Sequence, residues 1–118
     1  MFAVRCQFDY RGPVTVENST AALYLYRIAQ EAVTNAVRHG KAGEIRLSLS
    51  AKDGNCTLRI ENDGLGLPDD GGLRPGLGIS IMKYRARKIR GDLAFERLDT
   101  RGSAVVCTLP CLQETEQP

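Results

Sequence analysis

Hydrophobic and polar side chains recur along this chain with two different periods, and the longer period marks one extended segment. Between residues 21 and 39, apolar side chains return every three or four positions, which places them on one face of an α-helix. These residues are Leu25, Ile28, Ala29, Ala32, Val33, Ala36 and Val37. Candidate N-caps precede the segment at Asn18, Ser19 and Thr20. Gly40 follows it at the C′ position, where glycine commonly ends a helix, so the pattern predicts an amphipathic helix of about five turns.

The shorter period, an alternation of two, predicts strands. Residues 44–51 and 56–61 both alternate, and the pair Asp53-Gly54 lies in the short connection between them. An Asp-Gly pair flanked by alternating apolar residues is typical of a β-hairpin. Further strands are predicted at 3–8, 93–98 and 103–109, the first of them at an edge of the sheet.

A second helix is predicted from Gly78 to Gly91. Its inner face carries Ile79, Met82, Ala86 and Ile89, and its outer face carries Lys83, Arg87 and Arg90. Two helices among short strands predict an α/β two-layer sandwich, with the helices packed on one face of a mixed, mainly antiparallel sheet. The 118 residues match one domain, which we place at 1–112, followed by a polar tail at 113–118.

Composition and charge exclude several classes of function. The net charge of +2 is too small to indicate binding to nucleic acid or to an anionic membrane surface. Tryptophan is absent and aromatic residues make up 6%, so the chain has no platform for stacking single-stranded bases. No stretch approaches the roughly 20 apolar residues that a membrane span needs. We therefore expect a domain of cytoplasmic character without membrane contact of its own, which a membrane-anchored parent protein can still carry.

The four cysteines are Cys6, Cys56, Cys107 and Cys111. They form no CxxC pair and lie far in sequence from the single histidine, His39, so the spacing does not indicate a structural zinc site. Three of the four fall in predicted strands, where a thiol behaves as a small apolar side chain. We expect them to be reduced and structural.

Three polar residues, Glu31, Asn35 and His39, interrupt the first helix at four-residue intervals and so share one helical stripe. One interpretation is a solvated face with no further role. The other is a metal and phosphate site, since an asparagine oxygen can ligate Mg²⁺ and a carboxylate one turn away can polarise an attacking nucleophile. Arg38 and His39, near the helix end, are suited to contact phosphate oxygens.

Two glycine-rich turns follow in the sequence. Asn62-Asp63-Gly64-Leu65-Gly66 comes directly after a predicted strand, and Gly76-Leu77-Gly78 opens the second helix, whose N-terminal amides suit an anion. Each turn alone is also compatible with an ordinary flexible loop. The basic run of the second helix contains Tyr84 as its one aromatic residue, and we interpret it as a solvated face, from which Lys83 and Arg87 could help neutralise phosphates.

In this order the segments resemble the motifs of bacterial sensor histidine kinases. Residues 26–39 are similar to their N box, 62–66 to their first glycine box of form DxGxG, and 76–86 to their second glycine box. Gly102-Ser103 resembles their closing Gly-Thr. The N box and the short lid are similar to the branch that partners LuxR-type response regulators. The resemblance implies the Bergerat ATP-binding fold, shared with gyrase, the Hsp90 chaperones and MutL.

The resemblance also implies roles for individual residues. Asn35 would be the Mg²⁺ ligand and Glu31 the polarising, catalytic carboxylate. Residues 67–75 would form the lid over ATP. The residues implied to contact the nucleotide are Asn35, Arg38, His39, Asn62, Asp63, Gly64, Gly66, Leu67, Gly76, Leu77, Gly78 and Ser103. Among these, Gly76 and Gly78 would let backbone amides reach the phosphates, while Ser103 would reach adenine.

One position departs from the family pattern. In the family, the first aspartate of DxGxG accepts a hydrogen bond from the amino group of adenine. This chain has Asn62 there and an aspartate at the next position, Asp63. A neutral amide oxygen can accept the same hydrogen bond but loses its charge-assisted part, on the order of 1 kcal/mol. We therefore expect ATP to bind about fivefold to tenfold more weakly and the selectivity for the base to be softer.

The resemblance implies partners outside this chain. No segment resembles the helical hairpin that carries the phosphorylated histidine, so the phosphoryl group of ATP would pass to a histidine on a separate dimerisation domain, and from there indirectly to a LuxR-type response regulator. Two other functions share these features: a serine kinase of the anti-sigma-factor type, and an interaction module that no longer turns over ATP. The amino-acid sequence around Gln30-Glu31 resembles that of histidine kinases and favours this function.

Overall fold

The computed structural model describes residues 4–11, 19–65, 78–98 and 101–110. Within these residues, five strands and two helices follow one another. They are β1 (Arg5–Arg11), α1 (Ser19–Arg38), β2 (Glu44–Lys52), β3 (Asn55–Asn62), α2 (Ile79–Lys88), β4 (Asp92–Arg97) and β5 (Ser103–Pro110). The predicted lid at 67–75 and the tail at 113–118 lie outside the described residues.

The strands form one sheet in the order β1-β2-β3-β5-β4. The β1–β2 pair is parallel and the other three pairs are antiparallel, which confirms the prediction of a mixed, mainly antiparallel sheet. β1 lies at an edge, as predicted, but it occupies Arg5–Arg11 and not 3–8. Its bounds follow the pairing with β2, which runs from Arg5 opposite Glu44 to Arg11 opposite Ser50. Tertiary pairing therefore extends this strand beyond its alternating apolar residues.

Both helices pack on one face of the sheet. Cys56, Leu58 and Ile60 of β3 point to this face and are buried together with Ile28 of α1 and Met82 of α2. The opposite face carries charged residues at the intervening positions. There the Arg59 guanidinium lies 2.6 Å from the Glu61 carboxylate and 3.0 Å from that of Glu96. The arrangement is the predicted two-layer sandwich, with a single core between helices and sheet.

The left-handed residues that end the helices differ from the predicted positions by one residue. The residues in the left-handed conformation are Lys41, with φ 54°, and Arg90, with φ 63°, and not Gly40 and Gly91. Gly91 has a further use, since its missing side chain allows close backbone packing against β5. A Cβ on Gly91 would lie 3.0 Å from the carbonyl oxygen of Thr108 on β5. Tertiary packing against β5 therefore explains the glycine at position 91.

Cys56 and Cys107 are buried in the core, as expected of structural thiols, and burial raises the pKa of Cys107 to about 11. Cys6 is exposed on β1. Neither of the two helices that the structure describes is both long and apolar enough to cross a membrane.

Candidate functional site

The polar stripe of α1 runs along the half of the helix nearest its C-terminus. Glu31 and Asn35 are half-buried, whereas Arg38 and His39 are exposed at the helix end. Four-residue spacing places Glu31, Asn35 and His39 one above the other. The stripe therefore leads from a sheltered carboxylate and amide to a solvent-facing basic end.

The N-terminus of α2 packs directly against the carboxylate of this stripe. Gly78 caps the helix with φ 68° and ψ 18°, a left-handed conformation that favours glycine. A Cβ at Gly78 would lie 2.7 Å from both Cδ and Oε2 of Glu31, so any larger residue would displace that carboxylate. A negative side chain is electrostatically favoured beside a helix N-terminus. The fold thus brings Glu31 into contact with Gly78 of the second glycine box, about 47 residues further along the chain.

A second cluster forms where β3 ends beside the start of β5. The Nδ2 of Asn62 donates to Ser103 Oγ at 3.2 Å, and its Oδ1 accepts from the Gly64 N–H at 2.8 Å. Ser103 is buried and faces Asn62 in the sheet register. These contacts unite three residues that the family resemblance implies as contacts of the nucleotide.

Asp63, next to Asn62, binds a different part of the chain. One oxygen of its carboxylate, Oδ1, accepts hydrogen bonds from the N–H groups of Gly43 and Glu44, both at 2.9 Å. These backbone hydrogen bonds, that from Glu44 first, lower the pKa of Asp63. Asp63 therefore ties the connection between α1 and β2 to the first glycine turn.

This tie predicts a stability that depends on pH. Because the carboxylate of Asp63 has a lowered pKa in the folded chain, its contribution is present above the unfolded value of about 3.9 and is lost as the pH falls through the folded value. We expect Asp63→Asn to reduce the loss of unfolding free energy between neutral and strongly acidic pH. Urea unfolding of both proteins across this range measures the difference. Asp53→Asn, in the exposed β2–β3 turn, is the matched control; an identical pH dependence in the wild type and Asp63→Asn would contradict the role given to Asp63.

Close backbone packing holds the two clusters together. A Cβ on Gly64 would overlap the carbonyl oxygen of Gly40, which accepts a hydrogen bond from the Leu65 N–H at 2.7 Å. A Cβ on Gly102, which has φ 98°, would overlap the carbonyl oxygen of Asn62. The end of α1, the first glycine turn and the start of β5 thus meet with no room for side chains.

Three residues of this packing were missed as site residues by the sequence analysis. Gly40 was interpreted as a helix stop, and Gly102 was noted for its resemblance to a family motif and given no role. Arg101, whose Nε donates to the Gly64 carbonyl at 3.3 Å, carries no sequence pattern that would have identified it. Only the fold brings these residues together.

Four of the predicted nucleotide contacts, Gly66, Leu67, Gly76 and Leu77, lie outside the described residues. Their roles stay predictions, as do those of the residues described above.

The residues present fit a magnesium ion. Asn35 makes an interaction within the protein, while its side-chain Oδ1 is buried and accepts no hydrogen bond from the described part of the chain. An amide oxygen beside a carboxylate one helical turn away is a donor set of the kind that holds Mg²⁺ together with substrate phosphates.

Comparison with known proteins gives consistent matches along the chain. Residues 20–113 match the family of histidine kinase-, DNA gyrase B- and HSP90-like ATPases. The nitrate/nitrite sensor protein NarX of Escherichia coli strain K12 is 32% identical over 107 residues, which make up 91% of this chain and 18% of NarX. The sensor protein VraS of Staphylococcus aureus strain COL is 29% identical over 106 residues, 90% of this chain and 29% of VraS.

Solved structures share the fold. The blue-light activated histidine kinase of Erythrobacter litoralis EL346 has a TM-score of 0.81 at 24% identity, covering 97% of this chain and 37% of that one. The ATP binding domain of PrrB from Mycobacterium tuberculosis has a TM-score of 0.74 at 22% identity, covering 92% of this chain and 80% of that one. The chain thus spans only about a fifth of the length of NarX but most of an isolated ATP-binding domain. It is similar over most of its length to the sensor proteins NarX and VraS, and it belongs to the family of histidine kinase-, DNA gyrase B- and HSP90-like ATPases.

Proposed function

We propose that this chain binds Mg-ATP and transfers the γ-phosphoryl group to a histidine on a separate dimerisation domain. The observation that carries the proposal is the contact between the Glu31 carboxylate and the Gly78 turn at the N-terminus of α2. It joins a candidate catalytic carboxylate to a helix end whose amides suit a phosphate. The similarity of the chain to histidine kinases supports a histidine as the acceptor of the phosphoryl group.

Each cluster has a distinct part in the proposed reaction. Asn62 and Ser103 bind the base, and Gly64 lets the backbone approach it. Arg38 and His39, exposed at the end of α1, contact phosphate oxygens. Glu31 acts as the general base, which accepts a proton from the attacking imidazole and orients it. Catalysis of phosphoryl transfer then rests on positioning and on neutralising charge.

Magnesium would be held by Asn35 together with the phosphates. When bound, it would neutralise charge on the phosphate oxygens. Asn35 contributes a neutral oxygen, so the carboxylate of Glu31, one turn away, remains available to the nucleophile.

The partners of the reaction lie outside this chain. The phosphoryl acceptor is a histidine of the parent kinase, and the onward recipient is a response regulator of the LuxR type, which the resemblance of the N box implies. We place the domain in the cytoplasm, where ATP is supplied, whether or not the parent protein is anchored in a membrane.

Calorimetric titration with ATP, with and without Mg²⁺, tests the proposal. We expect micromolar to sub-millimolar binding that strengthens with Mg²⁺. Asn35→Ala removes the proposed metal ligand while keeping a good helix former, and we expect it to weaken binding tenfold or more when Mg²⁺ is present and to abolish the gain from Mg²⁺.

Asn55→Ala, at the exposed first position of β3, is the matched control and should bind like the wild type. Failure of the wild-type chain to bind millimolar ATP would contradict the proposal and favour a docking module that has lost its nucleotide. Equal Mg²⁺ dependence in the wild type and Asn35→Ala would remove Asn35 from the metal site.

A further inference from the structure

The amide of Asn62 is held in one orientation by its neighbours. Its Oδ1 accepts from the Gly64 N–H at 2.8 Å, and its Nδ2 donates to Ser103 Oγ at 3.2 Å. A backbone N–H can only donate, so the contact with Gly64 determines which end of the amide carries the oxygen. Asn62 therefore presents an acceptor on the side of Gly64 and a donor on the side of Ser103.

Asn62 keeps hydrogen-bonding capacity for a ligand. An amide oxygen has two lone pairs and an amide nitrogen two hydrogens. Gly64 uses one lone pair and the Ser103 hydroxyl one hydrogen, while the remaining contact, from Nδ2 to the Ser103 carbonyl, is 3.5 Å long and weak. Within the described part of the chain, one acceptor and one donor of the same planar group are thus left for a bound base.

Purine nucleotides differ in what they offer to such a group. At position 6, ATP has an amino group that donates, whereas ITP and GTP have a carbonyl oxygen that accepts. A carboxylate only accepts, so it attracts the amino group and repels the carbonyl oxygen. A neutral amide can accept from the first through its oxygen or donate to the second through its nitrogen.

We propose that Asn62 makes the base site of this chain accept 6-oxopurine nucleotides alongside ATP. The inference rests on the proposed function, since it assigns Asn62 to the base. Ser103 is compatible with both kinds of purine. Its hydroxyl group can rotate and either donate or accept a hydrogen bond while it stays beside Asn62.

Asp63 does not restore the missing carboxylate. Its Oδ1 is committed to the N–H groups of Gly43 and Glu44, and its Oδ2 lies 3.9 Å from the position of a Cβ on Gly43. Both oxygens therefore lie at the connection between α1 and β2, while Asn62 contacts the start of β5. The polar group left at the base position is the neutral amide.

Titration of the wild-type chain with ATP and with ITP, both with Mg²⁺, tests the inference. ITP is the sharper probe because it lacks the 2-amino group of GTP and differs from ATP at position 6 and N1 only. We expect dissociation constants within about tenfold of each other. Asn62→Asp should bind ATP about fivefold to tenfold more tightly and widen the preference for ATP over ITP to the order of a hundredfold.

Asn55→Asp makes the same chemical change at the exposed opposite end of β3 and should leave the ratio unaltered. A wild-type preference for ATP on the order of a hundredfold or more would overturn the inference while leaving ATP binding intact, and this result needs no variant to fold. No binding of either nucleotide to the wild type at millimolar concentration would overturn the proposed function, and the inference with it.

Discussion

Replacing Glu31 by glutamine should slow turnover of ATP by about 10²–10⁴-fold while leaving its binding nearly unchanged. The carboxylate lies against the Gly78 turn, where glutamine keeps the same volume and fits the same space. What the variant loses is the ability to accept a proton and to stabilise positive charge on the nucleophile. Single-turnover hydrolysis of radiolabelled ATP by this chain measures the rate, and calorimetry measures the dissociation constant.

Glu96→Gln is the matched control for this prediction. Glu96 lies on the open face of the sheet, where it pairs with Arg59 at 3.0 Å, a surface ion pair worth less than about 1 kcal/mol. Its hydrolysis rate should equal that of the wild type. If Glu31→Gln instead weakens the binding of ATP and leaves the rate at which bound ATP is hydrolysed unchanged, Glu31 positions the nucleotide and takes no part in the chemistry.

The fold could be predicted closely because its elements carry strong local patterns. The apolar period of α1 and the Asp53-Gly54 turn both reflect local backbone preferences, and the turn has positive φ at both residues, as its type requires. Where the prediction was wrong, tertiary contacts decided the outcome. β1 extends as far as its pairing with Glu44–Ser50 of β2, and the left-handed residues at the helix ends are Lys41 and Arg90.

The resemblance to a family named residues on several elements, but the residue pattern alone aligned site residues only within one element. Glu31 and Asn35 were found together because helical spacing alone aligns them. The contact between Glu31 and Gly78 joins distant segments, and nothing in the sequence indicated that Asp63 would bind the N–H groups of Gly43 and Glu44. Those bonds direct Asp63 away from Ser103 and leave Asn62 at the position that the resemblance assigns to the base.

Gly102→Ala is the substitution from which we expect the largest loss of stability. Gly102 has φ 98°, which L side chains rarely adopt, and its added Cβ would overlap the carbonyl oxygen of Asn62. Backbone strain of about 1–2 kcal/mol and overpacking of about 1–3 kcal/mol together predict a loss of roughly 2–5 kcal/mol. Urea unfolding monitored by circular dichroism measures the change.

Gly54→Ala separates these two contributions. Gly54 also has a positive φ, 80°, but its Cβ would meet no atom within 4 Å, so this variant carries the backbone strain without the collision. We expect it to lose only about 1–2 kcal/mol. The additional loss of unfolding free energy in Gly102→Ala then measures how tightly the start of β5 packs on the end of β3. Equal losses in the two variants would mean that this junction yields to a methyl group, and that Asn62 and Ser103 are not held rigidly beside each other.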